Sequence, residues 1–272
     1  MTPPSFSVYG LATPLIHAGD DVAAHLFEAA GRSECRGLRD GDIVVVAESP
    51  VATAEGRAVR LAGIEPSAEA LRLAEEYRMD PRVAEVVLRE SDRVVGGIPG
   101  FLLCMKGGTL LPNAGIDASN TPEGFVLPLP ADPDASAARI RAALRERSGA
   151  DVGVIVIDSR THAMRLGCSG VAIGCSGIPS VVDERGKRDL FGRELEVTKR
   201  AVADCIASAA ELVMGEAGEC VPAALVRGVG LPIGDDYAGV ATIDASECLF
   251  MGVALHTDPA LLVDEERDSQ AL

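Results

Sequence analysis

The sequence predicts a mixed α/β (α+β) chain, and three observations carry that prediction. Two short runs, Asp42-Ile43-Val44-Val45-Val46-Ala47 and Val152-Gly153-Val154-Ile155-Val156-Ile157, have the length and β-branched content of buried strands. Between and after them lie stretches of helical periodicity, several opened by an Asp or Ser in the capping position. Gly- and Pro-containing breaks then divide the rest into short strand-like pieces.

In chain order, residues 6–16 read as a strand running into the turn Thr13-Pro14-Leu15-Ile16. Asp20 and Asp21 cap a helix to about Ala30, with their charge at its positive end. The strand at 42–47 ends at Glu48-Ser49-Pro50, where Pro50 bars a simple continuation, and Ala54-Glu55-Gly56-Arg57 follows. Ser67 caps one helix, and Asp80-Pro81 opens a second through Arg89. Residues 93–106 are strand-like, broken at Gly96-Gly97 and Pro99-Gly100. A loop with a cap at 130–134 leads into a helix over about 135–146. The strand at 152–157 is expected to terminate in Asp158-Ser159, delivering an acid from a rigid element. Residues 183–193 are strongly charged and read as a loop. The longest helix is expected over about 194–214, a strand at 222–226, and strand-like alternation over 240–255. The organisation expected is one catalytic unit over 1–256, with two intertwined subdomains as the variant, and an acidic tail over 257–272.

The 272 residues carry a formal charge of −16, from 41 acidic against 25 basic side chains. Such a field repels nucleic acid and anionic membranes, so neither is an expected partner. An anionic substrate would need bound cations or local arginines to reverse the sign inside a cleft. No apolar run approaches the ~18 residues of a membrane span and no signal pattern opens the chain, so a soluble cytoplasmic protein is expected. Only Lys106, Lys187 and Lys199 occur, none in a phosphate-binding glycine loop. The seven cysteines form no C-x-x-C pair and read as reduced thiols, while the four scattered histidines make a zinc site improbable.

The segment Asn113-Ala114-Gly115-Ile116-Asp117-Ala118-Ser119-Asn120 sets an acid among asparagines and small residues, which suits either ligand contact or a self-bonded turn. Asp117, Asp158, Ser159 and Glu216 all end or interrupt apolar segments. Oxygen donors of this kind suit Mg²⁺ or Mn²⁺, although each also fits a simple capping role. Arg185, Lys187, Arg188 and Arg193, and separately Arg165, could clamp phosphates or belong to solvated loops. Cys168 and Cys175 have no histidine placed beside them, and packing is the favoured reading of both.

These segments resemble the coenzyme F420-0:γ-glutamyl ligases. The matching stretches are Gly41-Asp42-Ile43-Val44-Val45, Ala54-Glu55-Gly56-Arg57, the 113–120 segment, Val154-Ile155-Val156-Ile157-Asp158-Ser159, Arg188 through Thr198, Met214-Gly215-Glu216 and Val226-Arg227-Gly228. They occur in the family's order over roughly residues 8–228. The resemblance implies a γ-glutamyl ligase-like fold of mixed sheets with flanking helices, assembled as a homodimer. It implies a GTP-dependent amide ligase that joins L-glutamate to the carboxylate of the F420-0 phospholactyl tail, using Mn²⁺ or Mg²⁺ with K⁺. By motif position, Asp117, Asp158, Ser159 and Glu216 would be the metal ligands, with Asp117 and Asp158 central to catalysis. Pro14, Leu15, Ile16, Ser49 and Asn120 would contact GTP.

The departures fall on the nucleotide side. Glu48 stands where the family usually has Ser, and Thr53 where it usually has Lys, removing one positive charge and adding one negative. Two alternatives therefore stand beside the ligase. One is a diverged paralogue with another acceptor or nucleotide; the other is a non-catalytic deazaflavin- or nucleotide-binding protein.

Overall fold

Alternate side chains of the two apolar runs face opposite ways, and that parity builds two cores on one sheet. The computed structural model describes residues 4–253. The chain runs through β1 (Ser7–Leu11), α1 (Val22–Arg32), β2 (Ile43–Ala47), α2 (Glu48–Ala54), β3 (Val59–Arg60), α3 (Ala68–Tyr77), α4 (Pro81–Glu90), β4 (Arg93–Ile98), β5 (Phe101–Lys106) and β6 (Thr109–Pro112). It continues with β7 (Phe125–Val126), α5 (Pro133–Ser148), β8 (Gly153–Thr161), β9 (Cys168–Ser176), β10 (Val182–Asp183), β11 (Lys199–Arg200), α6 (Val202–Met214), β12 (Ala223–Arg227) and α7 (Leu249–Val253).

The main sheet has the order β1-β12-β2-β8-β9, with β2 and β8 parallel and the other pairs antiparallel. Val44, Val46, Val154 and Val156 pack under α1 and α5, together with Leu26, Ile140 and Leu144. Ile43, Val45, Ile155 and Ile157 face the other way, against Ala203, Ile206, Ala207 and Ala210 of α6. A strand covered on both faces has no polar side to show, which is why these runs are continuous in apolar residues. A smaller core gathers Leu73, Val86 and Val87 of α3 and α4 with Leu102 and Cys104 of β5. The expected mixed α/β architecture is thus observed, with helices flanking a mixed sheet.

Two of the motif segments are bound to each other. Arg227 donates to both carboxylate oxygens of Asp42, at 2.8 and 2.6 Å, and to the carbonyls of Cys35 and Gly37, each at 2.8 Å. Asp42 is 1% exposed, so this ion pair lies in the interior and staples β12 to the entry of β2. The motifs around Asp42 and Arg227 are therefore structural. Arg57 likewise donates to the Leu129 carbonyl at 3.1 Å and to Glu90 at 2.8 Å.

The expected caps are in place. Asp21 accepts the Ala24 N–H at 2.9 Å, Ser67 that of Ala70 at 3.2 Å, and Asp80 that of Arg82 at 2.8 Å. Asp21 also meets Arg147 of α5. Replacing Asp21 with Ala should lower stability by about 1 kcal/mol, read as a fall of a few degrees in melting temperature.

Three expectations are corrected. The helix expected over 194–214 begins only at Val202, and α5, with 16 residues, is longer than α6 with 13. Leu195 N–H donates to the Lys187 carbonyl at 2.8 Å and Glu184 N–H to that of Thr198 at 3.1 Å, so a hairpin claims the backbone groups a helix would need. Val197, within the span expected to be helical, is 85% exposed. Second, β8 does not end at Asp158-Ser159: β2 stops at the Ala47–Ile157 pair, whereas β9 carries β8 on to Thr161. Third, among the described residues of 240–255 there is no strand; α7 occupies Leu249–Val253. The strand at 42–47 ends before Glu48 as expected, and residues 48–54 then form α2, since Pro50 falls in the first helical turn, where its missing N–H costs nothing. The expected tail at 257–272 lies outside the described residues.

Candidate active site

The bend that presents Asp117 is built by its own sequence. Asn113 and Ala114 have φ of 49° and 54°, and Gly115 has φ of 72°. A Cβ on Gly115 would stand 2.6 Å from Leu129, so close approach and left-handed backbone both call for glycine there. Asn113 Oδ1 accepts the Leu102 N–H at 2.8 Å, tying the bend to β5. Asp117 then exchanges backbone bonds with Leu127, at 3.1 and 2.7 Å. Its Oδ1 accepts the N–H groups of Ala118 and Ser119 at 2.7 and 2.9 Å, and its Oδ2 accepts the Ser119 hydroxyl. The self-bonded turn is the reading observed, and it holds an exposed carboxylate in place.

Asp158 enters from β8. The parallel register that sets Ala47 against Ile157 brings the next residues, Glu48 and Asp158, alongside each other. Burial, with the negative charges of Asp158 and Asp117 acting the same way, pushes the Glu48 carboxyl up to about 8. Burial also raises Asp158; Arg160, which donates to it at 3.0 Å, opposes that rise, and the Asp117 charge adds to it. Three carboxyl groups from three chain segments thus share one field.

Glu211, in the last turn of α6, and Glu216, on the loop after it, extend this acidic region. Glu211 Oε2 accepts the Gly170 N–H at 2.7 Å, while its Oε1 is buried with no hydrogen-bond donor among the described residues. Burial, with Glu216 and the Asp158 charge acting the same way and the Gly170 bond opposing, lifts its carboxyl to about 7. Ser159 is exposed and lies opposite Gly170 in the β8–β9 register. Around the same loop, Asn120 Nδ2 donates to the Ala217 carbonyl at 3.4 Å and Thr13 N–H to that of Cys220 at 3.3 Å. The Thr13–Ile16 turn and Asn120 therefore border the loop that bears Glu216. Leu15 is 73% exposed, whereas Ile16 points into the core. Ser49 follows Glu48 in the first turn of α2 and is half-buried.

A cation fits this donor set. An orphaned buried carboxylate oxygen on Glu211, and a Glu48 that resists ionising beside two other acids, both describe a region short of positive charge. All the facing donors are oxygens except one thiol, Cys168 Sγ, which with Glu211 and Glu216 has ligand atoms lying within 4.8 Å of one another. Hard divalent ions take such oxygen sets.

Other candidates fall outside it. Arg185 pairs with Asp183 at 2.5 Å, Lys187 with Glu184, and Arg188 donates to the Gly192 carbonyl at 3.0 Å, so the basic cluster is an exposed, self-paired loop. Cys175 is buried, and burial pushes its thiol up to about 12, which leaves it inert. Sequence reasoning noted Glu48 only as a departure and passed over Glu211. A glutamate on a helix is ordinary in sequence, and nothing in the spacing marks this one.

Comparison with known proteins agrees with the motif order. The family described as F420-0:Gamma-glutamyl ligase matches residues 10–228. A coenzyme F420:L-glutamate ligase of Methanopyrus kandleri is 47% identical over 215 residues, covering 79% of this chain and 83% of the relative. Proteins of the same name from Methanothermobacter thermautotrophicus and Archaeoglobus fulgidus are 44% and 43% identical, over 79% and 83% of this chain and 85% and 88% of theirs. With a match spanning both cores and every acid described above, the chain belongs to the F420-0:γ-glutamyl ligase family.

Proposed function

We propose that this protein is a ligase of coenzyme F420 biosynthesis that joins L-glutamate by an amide bond to the F420-0 phospholactyl carboxylate, at the expense of GTP. The observation that carries the reading is the meeting of Asp117, Asp158 and Glu48 with the Glu211–Glu216 end of α6, bordered by Asn120 and the Thr13–Ile16 turn. In a chain of charge −16, so dense an acidic field has a use if cations bring in a polyphosphate.

Asp117, Asp158, Ser159 and Glu216 would hold Mn²⁺ or Mg²⁺, with K⁺ as a further cation, and the ions would neutralise charge on the transferred phosphoryl group. The chemistry needs two displacements. The acceptor carboxylate attacks the γ-phosphorus of GTP, the bond to GDP breaks, and an acyl phosphate results. The glutamate amine then attacks the acyl carbon, phosphate leaves with the C–O electron pair, and the nitrogen gives up a proton. The protein's part is to orient the partners: the turn around Asp117 is locked by its own hydrogen bonds, and Asp158 sits on a strand paired on its β9 side. Ser49, Asn120 and the backbone of Pro14, Leu15 and Ile16 are the proposed nucleotide contacts. A homodimer is the proposed assembly, and the fully exposed Leu190 and Phe191 on the 184–198 loop are apolar surface that such an assembly could cover. Among the described residues no helix is long and apolar enough to cross a membrane.

The test is turnover of the purified protein with F420-0, L-glutamate, GTP, Mn²⁺ and K⁺, following product mass and GDP release. Glutamylated product formed together with GDP is the expected result. One observation favours a second reading, a diverged paralogue: Glu48 lies against Asp158 and Asp117 while Thr53 of α2 supplies no positive charge. GDP release without glutamylated product would favour that reading, and absence of both would defeat the ligase.

A further inference from the structure

We propose a second binding site in this protein: the arginine-lined cleft between the loop after α1 and the β1–β12 edge of the main sheet takes a phosphate-bearing anion. It stands apart from the ligase reading, whose acids lie at the opposite end of β2.

The loop that follows α1 builds the cleft. Ser33 N–H donates to the Ala29 carbonyl at 2.9 Å and Gly37 N–H to that of Ala30 at 2.9 Å, so the helix end closes on its own backbone. Arg227 fixes the outer part of the loop, donating to the carbonyls of Cys35 and Gly37 at 2.8 Å each, while Asp42 neutralises its charge. The Arg227 guanidinium lies 5.9 Å from the centroid of the Tyr9 ring. Against these parts opens a cavity of about 620 Å³, the size of a small-molecule site, with Tyr9, Arg32, Glu34, Arg36, Arg39 and Arg227 in its lining. Asp42 and Glu48 bracket β2, which at about 3.3 Å per residue separates the cleft from the acidic field by about 20 Å.

The charges of this cleft run against those of the chain. With Asp42 holding Arg227, the cations of Arg32, Arg36 and Arg39 remain against Glu34, in a protein of formal charge −16. Arg32 has only an exposed ion pair with Glu28 at 3.4 Å, and Arg36 and Arg39 have no side-chain partner among the described residues. Helix capping does not account for them, since the Ala29 and Ala30 carbonyls already have backbone donors. Arg36 has φ of 55°, in the left-handed region that glycine adopts without strain, so what this residue contributes lies in its guanidinium. The half-buried Tyr9 has a hydroxyl with no hydrogen-bond partner among the described residues, which leaves a donor for an anion's oxygen. A phosphate offers three oxygens and about two negative charges, and guanidinium forks bind such oxygens in pairs. Three arginines therefore match a phosphate better than a single carboxylate.

The test is calorimetric titration of the metal-free full chain with pyrophosphate, GDP and citrate in turn. Pyrophosphate is expected to bind, with affinity falling about 10-fold in Arg36→Gly and further in Arg36→Gly/Arg39→Gln. Arg36→Gly should melt no lower than the native protein, because glycine suits the left-handed backbone, and this separates lost binding from lost fold. Asp158→Asn, at the other end of β2, should leave pyrophosphate affinity unchanged. GDP binding tighter than pyrophosphate, with the same dependence on Arg36, would make the natural ligand a nucleotide; GDP binding no tighter would make it a free phosphate anion. No pyrophosphate binding, unchanged affinity in the double variant, affinity that moves with Asp158→Asn, or citrate bound as tightly as pyrophosphate would each overturn the proposal. The turnover assay tests the ligase separately, so either reading can fail while the other stands.

Discussion

Asp158→Asn should lower metal-dependent turnover by at least about 100-fold while leaving the protein folded. Asn keeps the size of the side chain but carries one oxygen and no charge, so it cannot neutralise a cation. The fold should survive because the strand around it is held by backbone pairing with β9 and by the apolar residues before it, not by the carboxylate. The metal-free variant should be as stable as the native protein or slightly more so. Burial and the Asp117 charge both work against the ionised Asp158, and Arg160 with the Ser159 N–H only partly offsets them. Turnover, Mn²⁺ affinity and melting temperature, measured together, separate a ligand from a structural acid. Full activity in the variant would remove Asp158 from the site.

The second large effect is a pH dependence of stability that originates at Glu48. Its carboxyl is raised by burial and by Asp158 and Asp117, from the usual 4.5 to about 8, so the folded chain binds this proton more tightly than the unfolded chain does. The stabilisation is complete below about pH 4.5 and is lost as pH rises through about 8. A shift of this size corresponds to a few kcal/mol. The metal-free protein should therefore show a falling contribution from this residue across that window, read as a melting temperature that drops toward pH 8.5. Glu48→Gln, which cannot ionise, should flatten the drop and be the more stable form at pH 8. Mn²⁺ should restore the native protein at pH 8 more than at pH 5, since the ion replaces the proton. A native profile that overlays that of Glu48→Gln would take Glu48 out of the acidic field.

Much of this was legible in the sequence. β-Branched runs bounded by turns announce β2 and β8 because strands buried on both faces need no polar side. Asp21, Ser67 and Asp80 announce helix starts because short polar side chains satisfy N–H groups that the helix itself leaves unpaired. Asp117, Asp158 and Glu216 stood out because each interrupts apolar sequence, and the ordered motifs identified the family.

What the sequence by itself determined were properties local to a few residues: the strands, the caps, the Asn113–Asn120 bend and the order of the motifs. Tertiary structure alone decided which distant groups meet. The register of β2 on β8 puts Glu48 beside Asp158, and the close packing of β9 on α6, which only Gly170 permits, sets Cys168 and Gly170 against Glu211. The Asp42–Arg227 pair joins residues 185 positions apart, binding two of the matching stretches into a structural staple. The hairpin from 184 to 198 overrode helical periodicity because backbone groups take the partners that folding brings them, and spacing along the chain does not record those partners.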